Sequence, residues 1–444
     1  MSDLIGRIML ESKVERDVAV QGAGAIFSVI KERIGLRNFQ MLRVPFPDVE
    51  TWIDRHSGIE GYGAGNHIHT TRILSLSEDL PVSVVIVASN DRIQAFLPDI
   101  EQLIVGGIVM IEDVQVLPRL PRVGGPARVE VRTTLRNFTN RDRDVALRVR
   151  LDGETYRLDP ETVLADNRRQ LVTRISVRRP RLWAPRKPQL YNMTVDAIIG
   201  RKVLGTYRVT FGVRKIGTRA GGVITLNGKR VNLRGASIHE DDAQEGGALS
   251  QATRVQLLNR LRNLGATITR SHYPLHPAFI EMLDRAGIMY WAQAPVYQIP
   301  TANWERAGVR SLATRAVELT VRQNLNHPSI LTWSVANEPA ETGSDLGNYS
   351  ANLVRYISGA ARTVRELDDT RLVGLDRQSR VGEPLTTEAN QYLDVLGVNE
   401  YFGWYRSVAE NRPDLPATTT ADLSGYLDEL HAANPDLPLV ITEF

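Results

Sequence analysis

The sequence has 444 residues, which is too long for one ordinary domain and long enough for two or three domains with their own hydrophobic cores. Its 54 lysines and arginines nearly balance its 51 aspartates and glutamates, so the net charge of +3 gives little reason to expect a nucleic-acid partner. Cysteine is absent, which excludes disulfides, thiol nucleophiles and cysteine-ligated metal centres. No stretch approaches the roughly 18 apolar residues of a membrane-spanning helix. Residues 1–4 show no basic segment that leads into an apolar run, so a cytoplasmic location is expected, with secretion as the alternative if the chain begins upstream.

The first two regions of the chain both favour β-structure. Residues 1–118 contain short alternating runs and a glycine-rich turn, which predicts a small β domain. Prolines and glycines at residues 118–126 predict a linker, and residues 119–216 then show alternating strands without a helical period. This second region is typical of an immunoglobulin-like β-sandwich, here without a disulfide. The predicted sandwich strands are residues 127–135, 144–151, 170–177, 189–199 and 201–211.

The third region, residues 217–444, alternates strand-like runs with helix-like segments, which predicts parallel βα units. The predicted strands are residues 231–236, 267–271, 288–292, 330–336, 372–375, 395–398 and 439–442. The predicted helices are residues 250–264, 277–286, 309–325, 345–367 and 421–432. A closed (β/α)8 barrel needs eight strands and this region supplies seven, so we expect a TIM barrel that is incomplete after Phe444.

Two of the predicted barrel strands end on a carboxylate. The apolar run at residues 330–336 leads into Asn337 and Glu338, and a second apolar run at residues 439–442 leads into Glu443. Barrel enzymes keep their reactive groups at the C-terminal ends of the strands. Two carboxylates there are what a retaining glycosidase needs, one as acid and base and the other as nucleophile. The simpler alternative is a pair of solvated strand ends.

Two histidine-containing stretches are candidates for a metal site. His272 and His276 stand four residues apart, but Pro274 and Pro277 rule out the regular helix that a metal-binding pair would need. The acidic stretch at residues 239–242 has three possible interpretations: a site for a hard cation, a contact to a sugar hydroxyl, or a solvated loop. No metal site is predicted.

Aromatic side chains near the predicted strand ends are candidates for a binding site. Trp333 lies within a buried run and is expected in the core rather than in a binding site. Trp404 and Tyr405 follow a predicted strand end, and they are better candidates for a platform because aromatic faces stack on sugar rings.

Several short motifs together resemble glycoside hydrolase family 2, which contains the β-galactosidases, β-glucuronidases and β-mannosidases. The motifs are residues 182–185 (LWAP), 211–216 (FGVRKI), 226–230 (LNGKR), 234–241 (RGASIHED), 270–274 (RSHYP), 337–339 (NEP) and 441–444 (ITEF). They cover about residues 120–444 in the family's order. Residues 399–405 (NEYFGWY) are similar to the β-glucuronidase branch, whereas residues 1–118 resemble the family's N-terminal jelly-roll only in pieces.

The resemblance implies a retaining exo-β-glycosidase that acts on terminal β-galactosides or β-glucuronides without a cofactor. It implies Glu338 as acid/base, Glu443 as nucleophile, and Asn337 as the partner of the sugar 2-hydroxyl. The candidate substrate-binding residues are Asn337, His239, His272, Asn399, Tyr401 and Trp404. The expected partner is an oligosaccharide or glycoside, with no nucleic acid and no membrane, and homo-oligomerisation is left open. The alternative is a carbohydrate-binding or inactive truncated fragment that keeps the sugar pocket without turnover.

The chain departs from the family's pattern at one arginine. In many members an arginine stands three residues before the histidine of the HYP motif, whereas here Thr269 occupies that place and Arg270 follows it. The segment that recognises a uronate carboxylate in the β-glucuronidase branch lies beyond the nucleophile, so the sequence does not decide between a uronic acid and a neutral sugar.

Overall fold

The structure is a computed structural model, and it describes residues 109–339, 349–378, 384–403 and 419–444. The predicted jelly-roll domain, residues 1–118, therefore lies almost wholly outside the described residues, and so do Trp404 and Tyr405. Val109–Phe444 form one unit, in which a β-sandwich precedes a parallel barrel. Within the described part of the chain, no helix is both long and apolar enough to cross a membrane.

The sandwich consists of two antiparallel sheets that share one core. Its strands are β1 (Val109–Arg119), β2 (Ala127–Asn137), β3 (Arg143–Leu151), β4 (Glu154–Val163), β5 (Arg168–Val177), the short pair β6 (Trp183–Ala184) and β7 (Lys187–Pro188), β8 (Tyr191–Ile199) and β9 (Lys202–Phe211). One sheet has the order β1-β2-β5 and the other has the order β4-β3-β8-β9. Buried residues alternate with more exposed ones along β2 and β3, because successive side chains of a strand point to opposite faces.

Two features of the sandwich differ from the prediction. Strand β1 pairs with β2, so the sandwich includes Val109–Arg119, which the prediction assigned to the preceding domain up to residue 118, and the predicted linker is the turn between these two strands. The sequence also does not predict β4, whose residues are mostly exposed and polar. It is an edge strand, and Pro160 lies where its pairing with β3 shifts register. An edge strand tolerates proline because one row of its backbone groups faces away from the sheet.

The barrel follows a small sheet formed by β10 (Ile216–Arg219), β11 (Val223–Leu226) and β12 (Lys229–Arg230). Among the described residues, it has seven strands: β13 (Gly235–Ser237), β14 (Ile268–Ser271), β15 (Met289–Gln293), β16 (Ile330–Asn337), β17 (Leu372–Gln378), β18 (Val395–Asn399) and β19 (Leu439–Glu443). The helices are α1 (Gln251–Asn263), α2 (Pro277–Ala286), α3 (Ala307–Asn324), α4 (Ala351–Leu367) and α5 (Leu423–Ala433). All seven barrel strands are parallel, and their order in the sheet is their order in the chain.

The predicted barrel elements agree with the structure to within a few residues, except at α4 and β13. Helix α4 begins at Ala351 rather than at residue 345, and residues 345–348 lie outside the described residues. Strand β13 is shorter than the predicted residues 231–236. Before Gly235, the hydroxyl of Thr267 takes the place of the backbone hydrogen bonds that a neighbouring strand would make. Thr267 Oγ1 donates to the carbonyl of Asn232 at 2.8 Å and accepts from the amide of Arg234 at 2.9 Å. The sheet then curves far enough for Ser237 Oγ to reach the carbonyl of Thr442 at 3.5 Å, so the outer strands approach each other at their carboxyl ends.

The sandwich fixes the start of β16. Arg214, which comes shortly after β9, is buried and donates to the carbonyls of Pro328 at 3.0 Å and Ile330 at 3.3 Å. Trp183 is fully buried and donates its indole N–H to the carbonyl of Asp284 at 2.9 Å. Buried polar groups are costly unless they are paired, so these bonds hold the sandwich against the end of the barrel opposite its C-terminal mouth.

Candidate active site

The chain turns sharply where β16 ends. All eight residues of β16 are buried, and Glu338, the next residue, has a φ of 44° in the left-handed region that non-glycine residues avoid. The amide of Glu338 donates to the carbonyl of Asp376 at 2.7 Å, and the indole of Trp304 donates to the carbonyl of Pro339 at 2.7 Å. Strained backbone of this kind persists where its surroundings hold it, and it clusters at functional sites.

Asn399, the last residue of β18, lies between the two predicted carboxylates. Its side-chain nitrogen Nδ2 donates to Glu338 Oε1 at 2.7 Å and is 3.1 Å from Glu443 Oε1. Thr442 fixes the orientation of this amide, because its hydroxyl donates to Asn399 Oδ1 at 2.6 Å. The two carboxylate oxygens are therefore no farther apart than the sum of the two donor distances.

Glu443 is surrounded by hydrogen-bond donors. Arg270 Nη1 donates to its Oε1 at 2.8 Å, and the hydroxyl of Tyr401 donates to its Oε2. His272 Nε2 lies 3.5 Å from Oε1. Burial lowers the pKa of His272, and the positive charge of Arg270 lowers it further, which favours the neutral imidazole near pH 7. The contacts from Arg270 and Tyr401 hold the Glu443 carboxylate in one orientation.

Arg270 joins the ends of several strands. Its Nη2 donates to Asn337 Oδ1 at 2.6 Å and to Gln293 Oε1 at 3.0 Å, and the same nitrogen is 3.4 Å from Asp376 Oδ2. Burial lowers the pKa of Arg270, but the carboxylates of Asp376 and Glu443 more than offset this, so the net shift is upward. The departure of Arg270 from the family spacing therefore does not remove it from the site.

Aromatic rings lie beside the two carboxylates. The rings of His239 and His272 have centroids 5.5 Å apart, and the ring of Tyr273 lies 5.8 Å from that of His239. The half-exposed ring of Tyr297 lies 6.5 Å from that of His272. His239 is itself exposed, so this group forms an accessible rim.

The other candidate metal ligands have structural roles. His276 caps helix α2, with its Nδ1 accepting from the amide of Ala278 at 3.1 Å. Glu240 is buried, and it accepts from Arg254 Nε at 3.2 Å and from the amide of His276 at 2.5 Å. Among the described residues, no group of three or more histidine and acidic side chains is arranged to hold a metal ion.

The structure thus brings most of the predicted site residues together and adds three that the sequence analysis did not single out. Glu338, Glu443, Asn337, Asn399, Tyr401, His239 and His272 gather at one mouth of the barrel, whereas Trp404 lies outside the described residues. The additions are Gln293, Asp376 and Tyr297. Gln293 and Asp376 each follow an apolar run near the carboxyl end of a strand, which is the same signal that marked Glu338. Trp333 is in the core as predicted, with its indole donating to Asp368 at 2.7 Å.

Comparison with known protein families divides the chain at the same places as the structure. Residues 218–444 match the model described as the TIM barrel domain of glycosyl hydrolases family 2, and residues 109–214 match a second model of glycosyl hydrolases family 2. Residues 55–116 match a family described only as "Uncharacterized ACR". The predicted jelly-roll in residues 1–118 stays a prediction.

Individual relatives are similar to part of this chain. The chain is 27% identical to a β-glucuronidase from Streptococcus agalactiae over 59% of its own length and 44% of that protein. It is 30% identical to a β-glucuronidase from Paenibacillus borealis over 52% of its own length and 39% of that protein. The chain therefore spans less than half the length of these two relatives.

Solved structures show the same fold. A galacturonate-bound β-galacturonidase of family 2 from Eisenbergiella tayi superposes with a TM-score of 0.64 at 23% identity, covering 76% of this chain and 56% of that one. A β-glucuronidase from Bacteroides uniformis superposes with a TM-score of 0.61 at 22% identity, covering 75% and 39%. The TIM barrel model of the family matches about half of this chain, and the second model of the family matches the residues before it. The chain therefore belongs to glycosyl hydrolases family 2.

Proposed function

We propose that this chain carries the catalytic centre of a retaining exo-β-glycosidase, with Glu443 as nucleophile and Glu338 as acid and base. One observation carries the proposal: Asn399 Nδ2 reaches Glu338 at 2.7 Å and Glu443 at 3.1 Å. Retaining enzymes have carboxyl groups about 5–5.5 Å apart, whereas inverting enzymes need about 6.5–9.5 Å to admit a water molecule. Two oxygens that share one donor are no farther apart than the sum of these distances, which is compatible with the retaining separation and short of the inverting one.

In the first step Glu443 attacks the anomeric carbon of the terminal sugar. The new bond joins Glu443 to that carbon, the glycosidic carbon–oxygen bond breaks, and Glu338 gives its proton to the departing oxygen. Glu443 attacks as the carboxylate, whose oxygens accept hydrogen bonds from Arg270 and Tyr401. The same donors hold the carboxylate in place, which matters because attack needs a fixed approach.

In the second step a water molecule releases the sugar. Glu338, now a carboxylate, takes a proton from the water, the water oxygen bonds to the anomeric carbon, and the bond to Glu443 breaks. The sugar leaves with its original β configuration because the anomeric carbon has been inverted twice. Glu338 serves both steps because the turn after β16 holds its backbone, with the amide bonded to Asp376.

We propose a terminal β-glucuronide as the substrate class. The support comes from relatives named β-glucuronidase, which match this chain at 27% and 30% identity. A terminal β-galactoside is the other substrate that the motifs predict. In either case the oxygen of the sugar 2-hydroxyl is expected next to Asn337, whose side chain lies between Arg270 and Asn399.

A panel of 4-nitrophenyl β-glycosides tests the proposal. The purified chain is incubated with the β-glucuronide, β-galactoside, β-galacturonide and β-mannoside, and proton NMR follows the anomeric configuration of the first product. We expect release of 4-nitrophenol from the glucuronide with the β-anomer formed first. Initial formation of the α-anomer would overturn the retaining mechanism. Binding of glucuronate in calorimetry without turnover of any glycoside would instead support the carbohydrate-binding alternative.

A further inference from the structure

Below the two candidate catalytic carboxylates lies a third acidic side chain, Asp376 on β17. It is fully buried, and its Oδ2 accepts from Ser334 Oγ at 2.8 Å and from the indole of Trp291 at 3.2 Å. The same oxygen is 3.4 Å from Arg270 Nη2. Asp376 thus connects β15, β16 and β17 to the guanidinium of Arg270 on β14, and the reaction steps above do not use it.

We propose that Asp376 is a positioning residue, which together with Gly397 holds the guanidinium of Arg270 in the place where it binds Glu443. The proposal rests on the role proposed for Glu443. Asp376 itself does not touch the reacting atoms, because Arg270 lies between it and the nucleophile.

The geometry of Arg270 is the first argument. Its Nη1 faces Glu443 at 2.8 Å, while its Nη2 faces Asn337, Gln293 and Asp376. The first two of these are neutral amides, and Asp376 is the charged group among the three. A planar guanidinium has a fixed fork of donors, so a group that fixes Nη2 also fixes the direction of Nη1. The charge of Asp376 therefore acts on Glu443 through a rigid cation.

The cost of burying Asp376 is the second argument. Burial raises the pKa of this carboxyl, and the charge of Arg270 with the hydrogen bonds from Ser334 and Trp291 offsets this only in part. Its other oxygen, Oδ1, has no hydrogen-bond partner among the described residues. Burying a polar group with incomplete pairing is unfavourable, and an apolar residue would fill the same place at lower cost. A buried acid of this kind is expected where its charge has a use.

Gly397 on β18 is the third argument, because it makes room for this carboxyl. A β-carbon added at Gly397 would overlap Asp376 Oδ1 and would also lie 3.1 Å from the α-carbon of Asp376. Gly397 and Asp376 are paired directly in the sheet. Glycine weakens a strand, so its presence in the middle of a buried strand indicates close approach of another group.

The competing explanation is that Asp376 only ties the strands together through Trp291 and Ser334. The chain contains a matched control for that role, Asp368. It is equally buried, accepts from the indole of Trp333 at 2.7 Å and pairs with Arg371 at 2.6 Å. This second acid–arginine–tryptophan cluster lies just before β17 begins, at the other end of the strand from the candidate site.

The test compares Asp376→Asn with Asp368→Asn. Asparagine keeps the shape and loses the charge in both places. The first readout is a crystal structure of each variant and of the wild type, in which the distance from Arg270 Nη1 to Glu443 Oε1 is measured. We expect this contact to be lost in Asp376→Asn and kept near 2.8 Å in Asp368→Asn. Retention of the contact in Asp376→Asn would overturn the proposal, whether or not the protein hydrolyses any glycoside.

The second readout is the reactivity of the nucleophile. An aryl 2-deoxy-2-fluoro-β-glucuronide, which traps Glu443 as a covalent adduct, measures the first step directly. A displacement of about 1 Å in a catalytic group can cost roughly a hundredfold in rate, so we expect Asp376→Asn to be trapped about a hundredfold more slowly. In 4-nitrophenyl β-glucuronide hydrolysis we expect kcat to fall with little change in KM. A lower melting temperature with unchanged trapping would show a merely structural role and overturn the proposal.

A second variant protects the test against misfolding of Asp376→Asn. Gly397→Ala keeps the charge of Asp376 but forces its carboxylate to move. We expect the same loss of the contact between Arg270 and Glu443, and unaltered geometry in this variant would count against the proposal. If the wild type reacts with no aryl glycoside or fluorosugar, the proposed function fails, while the crystallographic comparison still decides the role of Asp376.

Discussion

The side-chain nitrogen Nδ2 of Asn399 is 2.7 Å from Oε1 of Glu338, and this contact ties the end of β18 to the residue after β16. The same nitrogen is 3.1 Å from Glu443. Two carboxylates at this separation repel each other unless donors lie between them. Asn399 lies between the two carboxylates and Arg270 donates to Glu443, and both of them also bind Asn337.

The first prediction concerns the nucleophile. Glu443→Gln should abolish turnover of every aryl β-glycoside, because an amide cannot form the covalent intermediate. Steady-state rates with 4-nitrophenyl and 2,4-dinitrophenyl β-glucuronides measure this. Glu429→Gln is the matched control, because Glu429 is exposed on α5 and its replacement should leave the rate unchanged. Appreciable turnover by Glu443→Gln would assign the nucleophile elsewhere.

The second prediction separates the acid/base from the nucleophile. Glu338→Ala should lose most activity on substrates with poor leaving groups, and it should form the covalent intermediate normally with 2,4-dinitrophenyl substrates, which need little protonation. Azide does not require a general base, so it should restore turnover and yield a β-glycosyl azide. Equal losses with all leaving groups, together with no effect of azide, would argue against this role for Glu338.

The third prediction concerns the shared donor. Asn399→Ala removes the amide between Glu338 and Glu443, so the carboxylates should repel each other and move apart. We expect a loss of about a hundredfold or more in kcat/KM, in line with the sensitivity of rate to displacements of about 1 Å. Asn390→Ala is the control, because Asn390 donates to Asn434 at 2.8 Å away from the site. Similar losses in the two variants would show that Asn399 acts only through stability.

The fourth prediction concerns stability at low pH. Asp368 is fully buried, which opposes its ionisation, but Arg371 and the hydrogen bonds from Trp333 and Thr370 together lower its pKa to about 2 from an ordinary value of 3.8. A carboxyl whose pKa is lower in the folded state stabilises the protein above the unfolded value. This stabilisation is lost as the pH falls from about 3.8 to about 2.

Urea denaturation of the wild type and of Asp368→Asn between pH 6 and pH 2 measures this effect. At about 1.4 kcal/mol per pKa unit, the lowered pKa corresponds to a contribution on the order of 2 kcal/mol to the free energy of unfolding. The wild type should be the more stable protein at pH 6, and the difference between the two should shrink below pH 4. Other carboxyl groups titrate in both proteins, so they do not affect the comparison. A difference that is constant with pH would contradict the prediction.

The strand-end pattern was sufficient to predict both candidate catalytic residues. The run before Glu338 is rich in apolar and β-branched residues, and all of β16 is buried between its neighbouring strands. The sequence did not predict β4, because an edge strand with Pro160 lacks the apolar alternation on which strand prediction depends. It also assigned residues 109–118 to the preceding domain, since only the pairing of β1 with β2 shows where that strand belongs.

The sequence by itself determined the order of sandwich and barrel, the family, and the pair Glu338 and Glu443. These follow from local periodicity, from turn residues and from short motifs, all of which are properties of neighbouring residues. Only the tertiary structure decided that Arg270 binds Glu443, that Asn399 lies between the two carboxylates, and that Asp376 lies beneath Arg270. Each of these contacts joins different strands, and their distances depend on the pairing and curvature of the whole sheet, which no local pattern records.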